Sequence, residues 1–229
     1  MRRGAGAGER LGLRVRLGVL AATGALVTGC ASSGYTYVAN TDDGAYFKVP
    51  GDWHVFDADE VHERRTAEVT PERAERMRTA QWAIAFDADP EPTLDHVFVE
   101  PSDHPVGYAR VRDLDGQERD QFSLASLRNE FLPLDRISQQ DADRVEPLEV
   151  EEIGSGEVGG EEGLRGVRLV FNIRAASGAV LTYQQASFVD ADTEKVYLIA
   201  LGCTADCYED NRRAIEEVAR SWTIKEPRS

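Results

Sequence analysis

Three segments of the second half, Gly166-Val-Arg-Leu-Val-Phe-Asn-Ile-Arg174, Val180-Leu-Thr-Tyr-Gln-Gln-Ala-Ser-Phe-Val189 and Lys195-Val-Tyr-Leu-Ile-Ala-Leu201, decide the fold. In the first, Val167, Leu169, Phe171 and Ile173 fall on one side of an extended chain and Arg168, Asn172 and Arg174 on the other. One face is therefore buried, and that fixes the register. The connectors Ala-Ala-Ser177-Gly178 and Asp190-Ala-Asp192-Thr are turn compositions, so two consecutive hairpins form an antiparallel meander. Beyond Cys207, Ile215, Val218 and Trp222 recur at helical spacing, which predicts a helix over Tyr208 to Trp222 laid on that sheet.

Working towards the N-terminus, Phe122 to Phe131 places Leu124, Leu127 and Phe131 on one helical face, with Ser123 as cap and Pro133 as terminator. Val106–Arg112 and Gln81–Phe86 alternate like strands. Thr70-Pro71-Glu72 is a helix start leading to about Thr79, with Thr70 as cap. Gly44 to Val49 reads as a strand stopped by Pro50-Gly51-Asp52, with Trp53 packing under the turn. The order of helices between residues 57 and 103 is left open by these patterns.

Residues 1–29 read as an address. Arg2, Arg3, Arg10, Arg14 and Arg16 precede an apolar run from Leu17 to Gly29, an n-region followed by an h-region. A membrane span needs about 20 residues, so the run is too short to stay as a transmembrane helix. The stretch Val27-Thr28-Gly29-Cys30 resembles the lipobox of bacterial lipoproteins. That resemblance implies cleavage between Gly29 and Cys30 and a thioether-linked diacylglycerol on Cys30, whose thiolate is the nucleophile. The alternatives are an ordinary secretory signal with a chance cysteine, an artefact of start-codon choice, or twin-arginine export through Arg2-Arg3, which lacks the hydrophobic pair after the arginines. Residues 30–36 are then the lipidated cysteine and its tether, and residues 37–229 a single α+β domain.

With 229 residues and 41% hydrophobic content the chain can bury one core. Its 26 basic against 41 acidic residues give −15, and loss of residues 1–29 leaves 21 against 40, or −19. Nucleic acid is thereby excluded as a partner, and a basic patch does not hold the protein on anionic lipid. With Cys30 assigned to lipid, Cys203 and Cys207 remain as one pair, which in an exported protein reads as a disulfide. Their spacing fits neither a thioredoxin-like Cys-x-x-Cys nor a zinc site.

Candidate chemistry is thin. Gly154-Ser-Gly156-Glu-Val-Gly159 spells the dinucleotide fingerprint, but Glu161-Glu162 and a following strand replace the helix that would take the pyrophosphate. Asp190-Ala-Asp192-Thr-Glu194 opens like a calcium loop, yet Lys195 stands at its glycine and Leu201 at its bidentate glutamate. Asp-Ala-Asp recurs at 57–59, 87–89 and 141–143, which reads as compositional habit. The four histidines, His54, His62, His96 and His104, have no metal-ligand spacing, and no Gly-x-Ser-x-Gly elbow is present. No catalytic residue, metal or cofactor is therefore expected. Tyr46, Trp53, Trp82, Tyr108, Tyr183, Tyr197 and Trp222 are candidates to line a groove, with core packing as the plainer role.

Phe47-Lys-Val-Pro50-Gly-Asp-Trp53, the meander, and a closing helix ending Ala-Arg-Ser221-Trp222-Thr together resemble the PsbP/Mog1-like fold, and among its members actinobacterial lipoproteins of the LpqN kind. The resemblance implies a central antiparallel sheet flanked by helices, an αβα sandwich, and no enzyme. The expected function is a non-catalytic binding or assembly module, lipid-anchored on the extracytoplasmic face of the cell membrane, with an envelope protein or ligand as partner. A carrier of an apolar cell-wall or membrane ligand, or an envelope hydrolase with a non-standard site, is the alternative.

Overall fold

The computed structural model describes residues 34–154 and 163–225. Its largest element is a seven-stranded antiparallel sheet in the order β3-β4-β5-β9-β8-β7-β6. The strands are β3 (His54–Phe56), β4 (Gln81–Asp87), β5 (Val106–Asp113), β6 (Val145–Ile153), β7 (Arg165–Arg174), β8 (Val180–Val189) and β9 (Lys195–Thr204). The meander of the sequence analysis is β7-β8-β9, and β5 joins it along β9 from Val106 opposite Gly202 to Asp113 opposite Lys195. A second sheet pairs β1 (Tyr35–Asn40) with β2 (Ala45–Pro50), and β2 with the short C-terminal β10 (Thr223–Ile224).

Period-two alternation in the central strands buries both faces of the large sheet. Ile84, Phe86, Val111, Phe188, Ile199 and Leu201 point one way, where they meet Phe47 and Val49 of β2 and Ile215 and Val218 of helix α6 (Ala205–Ser221). On the opposite face, Ala85, Tyr108 and Leu198 meet Val61 of α1 (Ala58–Thr66) and Val97 of α3 (Leu94–Phe98). Leu169 and Phe171 meet Leu127 and, from α5 (Leu134–Gln140), which follows the short α4 (Gly116–Asp120), Leu134. Each fully buried Phe or Leu contributes about 1.5–3 kcal/mol of transfer free energy, so the three layers are held mainly by these central strands. The product is the expected αβα arrangement.

Three aromatic rings lie over glycines directly opposite them on the neighbouring strand: Phe86 over Gly107, Phe188 over Gly166 and Tyr183 over Gly202. A side chain at any of these glycines would collide with the ring, so the glycine is what lets the ring lie flat on the sheet.

Several expectations need correction. Residues 35 and 36, assigned above to a tether, are strand instead, because Tyr35 and Thr36 pair with Pro50 and Val49 as the start of β1. Residues 122–131 do not form an α-helix; Leu124–Asn129 is a 3-10 segment and the Ser123 side chain makes no cap bond. Leu127 is buried and Leu124 and Phe131 are half-buried against the same core, so the apolar spacing is used, but by a tighter winding than an α-helix. Helix α2 (Pro71–Ala80) starts where expected, but Thr70 makes no side-chain cap and Pro71 opens it instead. The closing helix starts three residues early, at Ala205, so Cys207 lies inside its first turn. Between residues 57 and 103 the order is α1, α2, β4, α3. No helix among the described residues is long and apolar enough to cross a membrane.

Candidate functional site

Where α3 and the 3-10 segment leave a gap over the sheet, a cleft of about 270 Å³ opens between two aromatic walls. One wall is Phe98 edge-on to Tyr108, with ring centroids 5.5 Å apart; the other is Phe131 edge-on to Tyr183, at 5.1 Å. Strand order places these tyrosines in proximity. They stand on β5 and β8, and the intervening β9 presents only Ala200 opposite Tyr108 and Gly202 opposite Tyr183. Large residues at those two positions would fill the trough.

Most of the charged groups at the rim and floor are paired with one another, while the buried Nε of Arg110 has no hydrogen-bond partner among the described residues. Arg110 donates to the carboxylate and the backbone carbonyl of Glu130, at 2.7 and 2.8 Å, and Arg112 donates to both oxygens of the same carboxylate. Arg110 and Glu130 keep only 13% and 10% of their side chains exposed. Burial pulls the Arg110 guanidinium below the ordinary arginine value. For Arg112 burial acts the same way, but the bonds to Glu130 outweigh it and raise the group. Arg65 of α1 donates to the Tyr108 hydroxyl at 2.8 Å and lies over its ring. Burial pushes the Tyr183 hydroxyl up to about 12, so it remains a neutral donor at neutral pH. Deeper down, the fully buried Gln185 donates to the carbonyl of Leu127 and to Ser187, which ties the 3-10 segment to the sheet. No serine, cysteine or histidine lines the cleft. The arrangement can embrace a small apolar or aromatic group and offer it hydrogen-bond donors.

A second, more polar cleft of about 340 Å³ lies at the far end of β4 and β5 and includes Trp82, His62, Arg65, Arg78 and Lys195. The Lys195 ammonium sits 2.8 Å from both Asp43 and Asp113. Burial pulls its pKa down, but the bonds to Asp113 and Asp43 prevail and hold it above the ordinary lysine value. This ion triad clips the β1–β2 turn to the large sheet.

Of the aromatic residues singled out, Tyr108 and Tyr183 meet in the first cleft and Trp82 lines the second, whereas Trp53, Tyr197 and Trp222 are core. Tyr46 faces outward from β2. Phe98, Phe131, Arg65, Arg110 and Glu130 were not anticipated. The available signal was Arg110, a charge in an otherwise apolar strand, sharing the face of Tyr108.

The repeated Asp-Ala-Asp is more than compositional habit. Asp57, Asp87 and Asp141 each accept the backbone N–H two residues on, and Asp190 accepts those of Glu194 and Lys195. Each first aspartate starts a turn or a helix by satisfying a free N–H. His96 and His104 serve the same loop: His96 lies 2.8 Å from the fully buried Asp87, and His104 lies 2.9 Å from Asp89. His54 is exposed on β3 and His62 stands on α1. Cys203 and Cys207 have their sulfur atoms at bonding distance, 2.03 Å, between the end of β9 and the first turn of α6. Cys30 and Gly29 lie outside the described residues, as do most positions of the Gly154–Gly159 run.

No family model matches the sequence, and no curated protein matches it. The architecture is that of an antiparallel sheet sandwiched by helices of the PsbP-like type. The solution structure of cyanobacterial PsbP (CyanoP) from Synechocystis sp. PCC 6803 is similar over 86% of this chain and 96% of its own, with 13% identity and a TM-score of 0.51. LpqN of Mycobacterium tuberculosis, described as involved in cell envelope biogenesis, is similar over 83% of this chain and 90% of its own, with 16% identity and a TM-score of 0.44. The Ran-binding protein Mog1p of Saccharomyces cerevisiae is similar over 84% and 96%, with 11% identity and a TM-score of 0.40.

Proposed function

We propose that this protein is a lipid-anchored, extracytoplasmic binding module of the cell envelope and not an enzyme. The address rests on Val27-Thr28-Gly29-Cys30 behind an arginine-rich and then apolar segment. Two acyl chains on Cys30, at about 0.8 kcal/mol per buried methylene, make attachment persistent where one is marginal. The binding role is carried by one observation, the aromatic cleft of Phe98, Tyr108, Phe131 and Tyr183, whose lining holds ring faces, donors and neutralised ions in place of a nucleophile and base. Replacing Cys30 with Ala tests the address: palmitate labelling and membrane fractionation of the variant must both be lost. Retention of both refutes the anchor. Cross-linking of the native protein in place, with capture from envelope extract, identifies the partner against the same variant as control.

The same lining favours a second reading, a carrier whose cleft holds part of an apolar molecule. Co-purifying lipid in native mass spectra, displaced when Ala175 at the cleft rim becomes Trp, supports it. Turnover of an ester, phosphate or glycan abolished by one point change would replace both readings with an envelope hydrolase.

A further inference from the structure

The outward face of the small sheet differs from the rest of the surface. Ala45, Phe47 and Val49 of β2 point into the core, so Tyr46, Lys48 and Pro50 point out. Register then places Tyr37 beside Lys48, Tyr35 beside Pro50, and Ala39 and Thr223 beside Tyr46. Lys225 continues the row, its ammonium 5.8 Å from the centre of the Tyr46 ring. In a chain with 41 acidic residues, this face carries three tyrosines, two lysines and no carboxylate of its own. Glu217 reaches its flank from α6 and pairs with Lys48 and the Tyr35 hydroxyl. Tyr37 is the most exposed large aromatic or aliphatic side chain among the described residues, at 70%.

We propose that this face is the surface the protein lays against the outer leaflet, with Tyr37 and Tyr46 at headgroup depth and Lys48 and Lys225 among the phosphates. The inference rests on the lipid-anchor reading and adds an orientation to it. Its occupant follows from chain length: Cys30 and Tyr35 are five residues apart, so a lipidated Cys30 holds the start of β1 within about 18 Å of its own acyl chains. Tyrosine is enriched where a bilayer meets water because its ring is apolar and its hydroxyl polar, and lysine reaches phosphate with its ammonium while its stem stays with the rings. In an acidic globule, a face whose strands carry lysines and no carboxylate of their own meets less repulsion from anionic headgroups, even with Glu217 at its flank.

The test uses the full-length lipoprotein, purified in detergent and reconstituted into vesicles of phosphatidylcholine and phosphatidylglycerol. Single tryptophans are introduced by Tyr37→Trp and by Val150→Trp, the latter on the exposed edge strand β6, where Val150 is 68% exposed. Both sites are solvent-facing, and an unchanged unfolding midpoint verifies each fold. Brominated phosphatidylcholine quenches by contact, and the added fluorescence of Tyr37→Trp is expected to fall about threefold more than that of Val150→Trp, as for an aromatic at headgroup depth. Equal quenching of the two probes in protein that floats with the vesicles overturns the orientation and leaves the anchor standing. Wild-type protein that fails to float overturns the anchor and the orientation with it.

Discussion

Replacing Gly107 with alanine isolates one cross-strand contact. A methyl group there would stand 1.9, 2.3 and 2.8 Å from three carbons of the Phe86 ring, with no backbone atom among its nearest neighbours. Carbon atoms pack at about 3.5–4.0 Å, so the ring must retreat on the order of 1.5 Å. Phe86 is fully buried, with Phe47 and Trp53 at centroid distances of 5.9 and 6.1 Å, so it has nowhere to go without moving both. Overpacking of this kind costs about 1–3 kcal/mol, while the smaller unfolded-state entropy of alanine offsets about 0.4–1 kcal/mol. The expected net loss is about 1.3 kcal/mol, or roughly 4 °C in Tm for a domain of this size. Urea unfolding followed by tryptophan fluorescence measures it. The decisive arm is a double-mutant cycle: in a Phe86→Leu background the added cost of Gly107→Ala should drop below about 0.5 kcal/mol. An equal cost in both backgrounds, or a Gly107→Ala protein that melts within about 1 °C of wild type, refutes the account of the glycine as seat for the ring.

Opening the Cys203–Cys207 bond with reductant, or by Cys203→Ser with Cys207→Ser, should lower stability by about 2 kcal/mol, the chain-entropy value for so short a loop, and thermal melts with and without reductant read it directly. Glu130→Ala leaves Arg110 and Arg112 buried against each other and should cost about 3 kcal/mol, whereas Arg119→Ala, at an exposed pair with Glu194, should change little; near-equal effects would contradict the buried network. Burial pushes Tyr183, Tyr197 and Tyr208 up to about 12. Unfolded tyrosines ionise near 10, so between about pH 10 and pH 12 the folded state binds more protons and stability falls as pH rises. Urea midpoints that stay constant across that window would remove burial as the cause.

How much could be read in advance depended on burial. The meander was legible because β7, β8 and β9 are buried on at least one face throughout, so their alternation survives in the sequence. Strand β6 was not, because residues 146–152 are exposed on both sides and no pattern is imposed on them. Four glutamates and the bulge between Pro147 and Glu149 mark it instead as a sheet edge defended against further pairing. The candidate cleft was half legible. Tyr108 and Tyr183 could be named from composition, but their meeting depends on β9 inserting between β5 and β8 and on small residues at 200 and 202, a relation between distant segments. The 3-10 segment eluded the helical reading because side chains from the sheet, Gln185 and Arg110, hold it more than its own periodicity does.

The strand order also sets a folding schedule. Strands β3-β4-β5 and β6-β7-β8-β9 are each joined in sequence, so each half can zip from its own turns, and only the β5–β9 seam links them. Such local pairings form early, while the seam waits for a loop of some eighty residues to close. The small sheet waits longer still: Tyr46 of β2 finds its neighbour Thr223 only at the other end of the chain. Were the chain exported N-terminus first, as proposed above, its opening hairpin would wait along the free edge of β2 until β10, the last of the described strands, arrived to close the sheet.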